Sequence, residues 1–330
     1  METGLKNFEA IIKNIEYLGE KYKEEHLAEW NKNTDLLEND WWEGLKFFFK
    51  HSFMRGRRDV LSNEYCEFAL TIIKEKYNID DSRNGAIYYS NLDEAYKNLV
   101  KDKHYFDKKI ILQAKQNLGS GRKSFLKDEK LKEEIINKNP VIRMFVTPRN
   151  ISFKWLNQEY NITTRLENDD DTMMVLDTLK FIASKFENRN IYKVIKDNLE
   201  NKQIKEVYEF LIGPRNVNIS EKNFHAIGDK IATLIIRDIL LLNPGIEINN
   251  QNDLELVFPV DTWVRRIAKK LGIQFENDNA IKKFFISVCR EYKINVPKCA
   301  AGLWYLGFQS LDILINFCLD KVDLRSAKAV

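Results

Sequence analysis

The scarcity of helix-breaking residues is the feature that most constrains how this chain can fold. Only 13 of its 330 residues are glycine and 6 are proline, well below the roughly 7% and 5% of average proteins. Between these few breaks, apolar residues recur at three- and four-residue spacing in segments rich in lysine, glutamate, leucine and isoleucine, as amphipathic helices require. The sequence therefore predicts an all-α protein.

The predicted helices cover most of the N-terminal two thirds of the chain. Residues 141–165 depart from the helical pattern because they alternate in part between apolar and polar side chains, which favours a small β-hairpin while helix remains an alternative. The three-aspartate run Asp169–Asp171 is expected to be an exposed helix cap. The helical segments are Leu5–Asn31, Trp41–Met54, Ser62–Tyr77, Leu92–Val100, Phe106–Asn117, Lys127–Asn137, Thr172–Glu187 and Ile191–Leu211.

Composition bounds the classes of protein that remain. With 44% hydrophobic and 12% aromatic residues, the chain has ample material for a packed core, and disorder is disfavoured. The net charge is only +3, so any affinity for nucleic acid must come from local clusters of basic residues. The longest apolar run, Ile231–Leu242, is interrupted by Arg237 and Asp238. No membrane span is predicted.

Cysteine and histidine usage predicts neither disulfides nor a metal centre. The four cysteines are scattered among predicted helices without a signal peptide ahead of them, which is typical of reduced thiols in a cytoplasmic protein. The histidines have no metal-ligand spacing with cysteines or carboxylates, so no catalytic metal is expected. The cysteines are Cys66, Cys289, Cys299 and Cys318.

The first segment with chemical content surrounds Lys230. A short helical turn after Ser220 is followed by Ala226–Gly228, where Gly228 is expected to take a positive φ and break the helix. Apolar spacing then resumes and predicts a helix from Asp229 to the residues before Asn243. Backbone N–H groups of such a hairpin can bind a phosphate. Lys230 lies in the first helical turn, where the helix dipole favours an uncharged, nucleophilic amine.

The second segment surrounds Asp261. Pro259 restricts the residue before it, and Asp261 or Thr262 is expected to cap the following helix. The apolar stripe of that helix leaves Arg265 on the polar face. Taken alone, an aspartate in this position is usually a plain N-cap, and a lysine such as Lys230 is usually a solvated surface residue.

Together the two segments resemble the helix–hairpin–helix DNA glycosylases. The match lies in Gly228-x-Lys230-x-Ala232 and in the stretch from Pro259-Val-Asp-Thr to Arg266. The resemblance implies two helical subdomains with the active-site cleft between them. It also implies that Lys230 attacks the deoxyribose to form a Schiff base, with an associated β-lyase step, while Asp261 acts as electrostatic and general-base partner.

The chain departs from the family pattern at three positions. His225 stands where the family has proline and Ala226 where it has the first glycine, which leaves the turn type of the hairpin open. Trp263 replaces the histidine that commonly follows Val-Asp-Thr. The gap of 31 positions between Lys230 and Asp261 is longer than usual and is similar to that of the archaeal 8-oxoguanine DNA glycosylase branch.

The resemblance also implies partners and domain limits. The expected partner is double-stranded DNA with a damaged or modified base, bound by a monomer, with 8-oxoguanine as the leading substrate and a nucleoid association when DNA is bound. A structural monovalent cation at the hairpin is compatible with it. Only three cysteines follow the catalytic segment, so no iron–sulfur cluster is predicted. The expected domains are residues 1–168 (helical, unmatched), 169–290 (glycosylase) and 291–330 (C-terminal helices that complete the base pocket).

The remaining candidates are contacts to DNA and to the extruded base. The hairpin residues Ala226, Ile227 and Gly228 are expected to hold a phosphate, together with Arg265 and with the basic group Arg55, Arg57 and Arg58. The base-pocket candidates are Trp304, Trp263 and Trp155. Trp41 and Trp42 could wedge into the duplex, although their helical spacing favours a core stripe.

Two alternative functions stay open from the sequence. A glycosylase of the same chemistry could act on a modified base carried by a virus, as a defence enzyme. A helix–hairpin–helix segment can also serve as a non-catalytic DNA-binding module, and the presence of both Lys230 and Asp261 is the feature that argues against it.

Overall fold

The computed structural model describes residues 2–55, 59–80, 91–118, 124–155, 158–184, 189–213, 223–248 and 250–319. Within these ranges the chain forms 17 α-helices and one two-stranded antiparallel sheet. The prediction of a mostly helical protein with one small β-hairpin is therefore confirmed. The helices are α1 Glu2–His26, α2 Ala28–Asn31, α3 Thr34–Asn39, α4 Trp41–Ser52, α5 Asp59–Tyr77, α6 Leu92–Lys101, α7 Lys109–Asn117, α8 Glu129–Lys138, α9 Pro140–Val146, α10 Asp169–Ser184, α11 Ile191–Glu200, α12 Ile204–Ile212, α13 Asp229–Leu242, α14 Gln251–Glu255, α15 Thr262–Lys270, α16 Asp278–Glu291 and α17 Val296–Leu319.

Two compact units make up the chain. The first, the terminal unit, consists of residues 1–32 and 233–330, and the second, the central unit, consists of residues 33–232. The division falls within α13, so that Lys230 belongs to the central unit and Asp261 to the terminal unit.

The terminal unit is built on the packing of the first long helix against the last one. α1 and α17 lie against each other, and they approach closely because glycines stand at the contact. A Cβ atom placed on Gly302 would collide with the carbonyl oxygen of Ile15 and would lie 2.9 Å from the backbone nitrogen of Gly19. A Cβ on Gly19 would in turn collide with the carbonyl oxygen of Lys298. Glycine is required at both positions because backbone, rather than a flexible side chain, fills the space.

The central unit has an aromatic core. Trp41 and Trp42 at the start of α4 are almost completely buried, which confirms the prediction of a core stripe, since buried rings cannot wedge into DNA. Phe47 of the same helix packs edge-on against Tyr192 of α11, with ring centroids 5.1 Å apart. Large aromatic side chains bury more apolar area than any others, so this cluster supplies much of the stabilisation of the unit.

The predicted hairpin forms within the central unit. Strand β1 (Arg149–Trp155) pairs with β2 (Gln158–Thr164) in a register that places Ile151 opposite Ile162. The buried side chains of β1 are Ile151 and Phe153, and the strand packs against α5. The period-two alternation in the sequence is thus the pattern of a strand with one buried face.

Two local expectations are wrong. A single helix was expected over Ile191–Leu211, but it is divided between α11 and α12 around Lys202, which has a φ of +60°. The run Asp169–Asp171 is not an exposed cap, because Asp169 and Asp171 are buried. Asp171 forms an ion pair with Arg55, and Asp169 accepts a hydrogen bond from the backbone N–H of Phe125 at 3.2 Å. Buried carboxylates need such partners.

Candidate active site

Two buried apolar residues, Phe224 and Ile227, anchor the hairpin before α13. Phe224 is fully buried, and its ring centroid lies 5.1 Å from that of Phe48 and 5.3 Å from that of Phe210. Ile227 is also buried. The short helix that was predicted to precede the hairpin, with Ser220 as its N-cap, lies outside the described residues apart from Asn223 and Phe224, which form a bend.

His225 connects the hairpin to α10. Its backbone N–H donates to Oδ2 of Asp177 at 2.7 Å, and its Nε2 lies 3.0 Å from Oδ1 of Asp170. The hydrogen bond from His225 holds the pKa of Asp170 below its usual range, whereas burial raises the pKa of Asp177. His225 therefore ties the hairpin to two carboxylates. A proline at this position could not donate the hydrogen bond to Asp177, because it has no backbone N–H.

The turn itself differs from the expectation. Ala226 has a φ of +59°, whereas Gly228, which was expected to take a positive φ, does not. The left-handed residue of the turn is therefore Ala226 and not a glycine. Gly228 instead precedes α13, and its carbonyl oxygen accepts hydrogen bonds from the N–H groups of Ile231 and Ala232, both at 3.0 Å. A Cβ on Gly228 would meet nothing within 4 Å. The space beside the main chain of Gly228 is therefore empty, and a bound group can approach it closely.

We predict that Ala226→Gly stabilises the protein. An alanine in the left-handed region costs about 1–2 kcal/mol, part of which is offset because glycine gains more entropy in the unfolded chain. A net gain of about 0.5–1 kcal/mol in the free energy of unfolding is expected from urea titration. The control is Ala280→Gly in α16, which should lose about 1 kcal/mol. Equal losses for both variants would contradict the left-handed conformation at Ala226.

Lys230 lies in the first turn of α13, as predicted. The side chain is half-buried, and the preceding Asp229 accepts a hydrogen bond from the hydroxyl of Tyr208 at 2.8 Å. The helix begins at Asp229 because the Gly228 carbonyl starts its hydrogen-bond ladder, and it ends at Leu242 before Asn243-Pro244. Lys230 thus lies at the positive end of the helix dipole.

Asp261 is the N-cap of α15. Its Oδ1 atom accepts hydrogen bonds from the backbone N–H groups of Trp263 at 2.9 Å and Val264 at 3.0 Å. The other oxygen, Oδ2, accepts no hydrogen bond from the part of the chain that the structure describes. The side chain is half-exposed. One oxygen therefore fixes the carboxylate while the second remains available for a proton or a positive charge.

A buried charged cluster near Asp261 was not singled out from the sequence as functional. Nε of Arg237 donates to Oδ1 of Asp238 at 2.7 Å, and the hydroxyl of Tyr22 donates to Oδ2 of the same carboxylate at 2.6 Å. Burial works to lower the pKa of Arg237, but the charges of Asp238 and, more weakly, Asp261 outweigh it and raise the pKa. The signal in the sequence was the Arg-Asp pair that interrupts the longest apolar run.

The basic residues expected to contact DNA lie in different settings. Arg265 is exposed on α15 and forms a bidentate pair with Asp278 at 2.7 and 2.6 Å, which lowers the pKa of Asp278. Arg55 belongs to the central unit and pairs with the buried Asp171, so its guanidinium is turned inward. Arg57 and Arg58 lie outside the described residues.

Two of the three base-pocket candidates belong to the terminal unit. Trp304 of α17 stacks on Phe308, with centroids 5.2 Å apart, and meets His26 of α1 edge-on at 5.1 Å. Trp263 lies at the start of α15, where Arg266 stacks on its ring and Gly307 of α17 packs against it. The third candidate, Trp155, ends strand β1 in the central unit.

Metal-ligand groups and membrane-spanning helices are both absent from the described residues. Among them, no group of three or more histidine, cysteine or acidic side chains has an arrangement that could hold a metal ion. The helices found in the same part of the chain are all too short or too polar to cross a bilayer.

Comparison with known proteins adds no relative: no protein-family model matches the chain, and neither a curated protein nor a solved structure is significantly similar to it.

Proposed function

We propose that this protein is a DNA glycosylase with an associated β-lyase activity, which extrudes a damaged or modified base and removes it. The observation that carries the proposal is the hydrogen bonding of the Asp261 carboxylate. Two backbone N–H groups hold it through Oδ1, while Oδ2 accepts no hydrogen bond within the described chain. An amine at a helix N-terminus and a fixed carboxylate are the two groups that this chemistry needs.

In the proposed reaction, the nitrogen of Lys230 attacks C1′ of the deoxyribose, and the bond from C1′ to the base breaks. The base leaves with the bonding electrons and takes up a proton. Asp261 stabilises the positive charge that develops on the sugar and accepts a proton from the attacking amine. The sugar ring then opens: the C1′–O4′ bond breaks, O4′ takes up a proton, and C1′ forms a Schiff base with the lysine nitrogen. Loss of a proton from C2′ then expels the 3′ phosphate by β-elimination.

The open main chain at Gly228 supports a role in phosphate binding. A phosphate oxygen can approach a backbone N–H closely where no Cβ intervenes, and the adjacent start of α13 favours negative charge. Such a contact holds the DNA backbone without reading its sequence. In this proposal the hairpin residues Ala226 to Gly228 position the strand whose sugar meets Lys230.

Borohydride trapping tests the proposal directly. The protein is mixed with duplexes that carry 8-oxoguanine, uracil, thymine glycol, alkylated purines or modified cytosines, and the reduced adduct is digested and sequenced by mass spectrometry. An adduct on Lys230 with one duplex is expected. Base release without any adduct would indicate a glycosylase that uses water, and the absence of both would leave the DNA-binding module.

Asp261→Asn separates charge from capping. Asparagine caps a helix as well as aspartate does, so the bonds to Trp263 and Val264 should persist while the negative charge is lost. We expect the single-turnover rate of base release to fall about 10²–10³-fold, with DNA affinity and melting temperature nearly unchanged. Asp261→Ala, the companion variant, should in addition lose about 1 kcal/mol of stability. If Asp261→Asn lost stability but kept its rate, Asp261 would be a structural cap only.

A further inference from the structure

The guanidinium of Arg237 is completely buried, yet most of its hydrogen-bonding groups are unused. Nε donates to Asp238, but Nη1 and Nη2 have no hydrogen-bond partner among the described residues. Buried donors are almost always satisfied, and each one left without a partner costs stability. A buried donor that has no partner in the chain is satisfied by an ordered water, an ion or a ligand.

Tyr22 and Asp238 hold the guanidinium in one orientation. The carbon Cζ of Arg237 lies 4.7 Å from the centroid of the Tyr22 ring, and the hydroxyl of Tyr22 is bonded to the same aspartate that Nε contacts. The Nε edge and one face of the guanidinium are therefore occupied. Only the end that carries Nη1 and Nη2 has no such contact. This end can donate two parallel N–H bonds to a pair of adjacent acceptors.

Aromatic rings continue from Tyr22 toward solvent. Its ring stacks on His26 with centroids 5.1 Å apart and meets Trp304 edge-on at 5.4 Å. The rings of His26, Trp304 and Phe308 are half-exposed. Aromatic faces of this kind stack on extruded bases. Arg237 also lies close enough to Asp261 for the charge of that carboxylate to act on it, so the cluster adjoins one of the two proposed catalytic groups.

We propose that Nη1 and Nη2 of Arg237 receive a pair of adjacent hydrogen-bond acceptors on the extruded base and thereby select it. This inference rests on the proposed glycosylase function and narrows its substrate. Among the ordinary bases, only guanine (O6 and N7) and cytosine (O2 and N3) carry such a pair. Uracil and thymine place an N–H between their carbonyl groups, and adenine places an amino group beside its ring nitrogens.

The same geometry disfavours 8-oxoguanine bound through that edge. In 8-oxoguanine N7 carries a hydrogen, which would face one of the two Nη groups. That Nη donor and the N7–H would then both be buried without an acceptor. The substrate is therefore a modified guanine with an unsubstituted N7, or a modified cytosine with free O2 and N3. Because Arg237 is covered in the unliganded protein, the base reaches it only when neighbouring side chains move aside.

Nucleoside binding tests the selection without requiring catalysis. Titration calorimetry of the full-length protein compares guanosine with 7-deazaguanosine and with 8-oxoguanosine, and cytidine with uridine, up to millimolar concentrations. We expect one nucleoside with the acceptor pair to bind about tenfold or more tightly than its analogue without it. The guanosine and cytidine arms decide which base supplies the pair. Equal affinities within both sets, or no binding at all, would overturn the proposal.

Two variants separate recognition from a structural role. Arg237→Met removes the paired donors together with the charge that balances the buried Asp238, so it should lower the melting temperature. Binding is therefore measured well below that temperature, where we expect the discrimination between guanosine and 7-deazaguanosine, or between cytidine and uridine, to be lost. Arg237→Lys keeps the charge but not the paired donors, and should lose the discrimination as well. Retained discrimination in both variants would show that Arg237 does not contact the base.

Failure of this proposal is distinguishable from failure of the proposed function. A borohydride adduct on Lys230 without nucleoside discrimination would leave the glycosylase intact and remove the role of Arg237. Discrimination that depends on Arg237 without any adduct would establish a base-binding site in the terminal unit and reject the lyase.

Discussion

Replacement of Lys230 by glutamine is expected to lower the rate of base release by about 10⁴-fold or more and to abolish the borohydride adduct, because an amide cannot form a Schiff base. Glutamine keeps a polar side chain of intermediate length at a half-buried position, so the start of α13 should be preserved. The rate is measured in single turnover on the duplex that gives the adduct, and DNA affinity is measured by fluorescence anisotropy.

The matched control is Lys269→Gln on α15. Lys269 is exposed, and its loss removes the same charge from the chain without removing the proposed nucleophile. We expect Lys269→Gln to keep its turnover rate and to lose at most a modest part of its DNA affinity, with a shallower dependence on salt. Full base release by Lys230→Gln would refute the lysine mechanism, and equal loss of rate in both variants would assign the effect to charge alone.

Gly302→Val is expected to cause the largest loss of stability. Its Cβ would collide with the carbonyl oxygen of Ile15, and the backbone of Gly19 leaves no space on the other side. Main chain cannot move aside as a side chain can, so α1 and α17 would have to separate along their contact. Overpacking of this kind costs about 3 kcal/mol or more, which should lower the melting temperature by roughly 10 °C.

Gly245→Val is the control for this prediction, since a Cβ at Gly245 meets nothing within 4 Å and the residue is exposed. Urea unfolding of both variants gives the free energies of unfolding, and only Gly302→Val should fall substantially. Wild-type stability in Gly302→Val would contradict the close packing of α1 against α17. Because Trp304 follows Gly302 by two residues, loss of this contact should also alter nucleoside binding.

The local structure around the proposed catalytic residues could be predicted from the sequence. α13 begins at Asp229 and ends before Asn243-Pro244, and Asp261 caps α15, as apolar spacing and capping chemistry indicated. These features depend on residues within a few positions of one another, so the sequence contains the information directly. The same holds for the hairpin β1–β2, whose alternating pattern marked its buried face.

The turn of the hairpin could be predicted only in part. The sequence placed it correctly between Phe224 and Asp229, but glycine was expected to supply the left-handed residue and Ala226 supplies it instead. A residue adopts that conformation against its own preference when its neighbours are held by tertiary contacts. Here those contacts are the hydrogen bonds of His225 to Asp177 and Asp170 of α10, which lie 48 and 55 residues away in the sequence. The burial of Phe224 holds the other side of the turn.

The sequence alone predicts that the chain is mostly helical and where the helices around Lys230 and Asp261 begin. Its resemblance to the glycosylases supplies the roles proposed for these two residues. Only the tertiary structure showed that the first helix packs against the last through Gly19 and Gly302, and that Tyr22 reaches Asp238, 216 residues away. Periodicity and capping act over one or two helical turns, whereas burial and the satisfaction of charge depend on distant residues. For that reason Arg237, an interruption of an apolar run in the sequence, became a candidate for base recognition only in the folded protein.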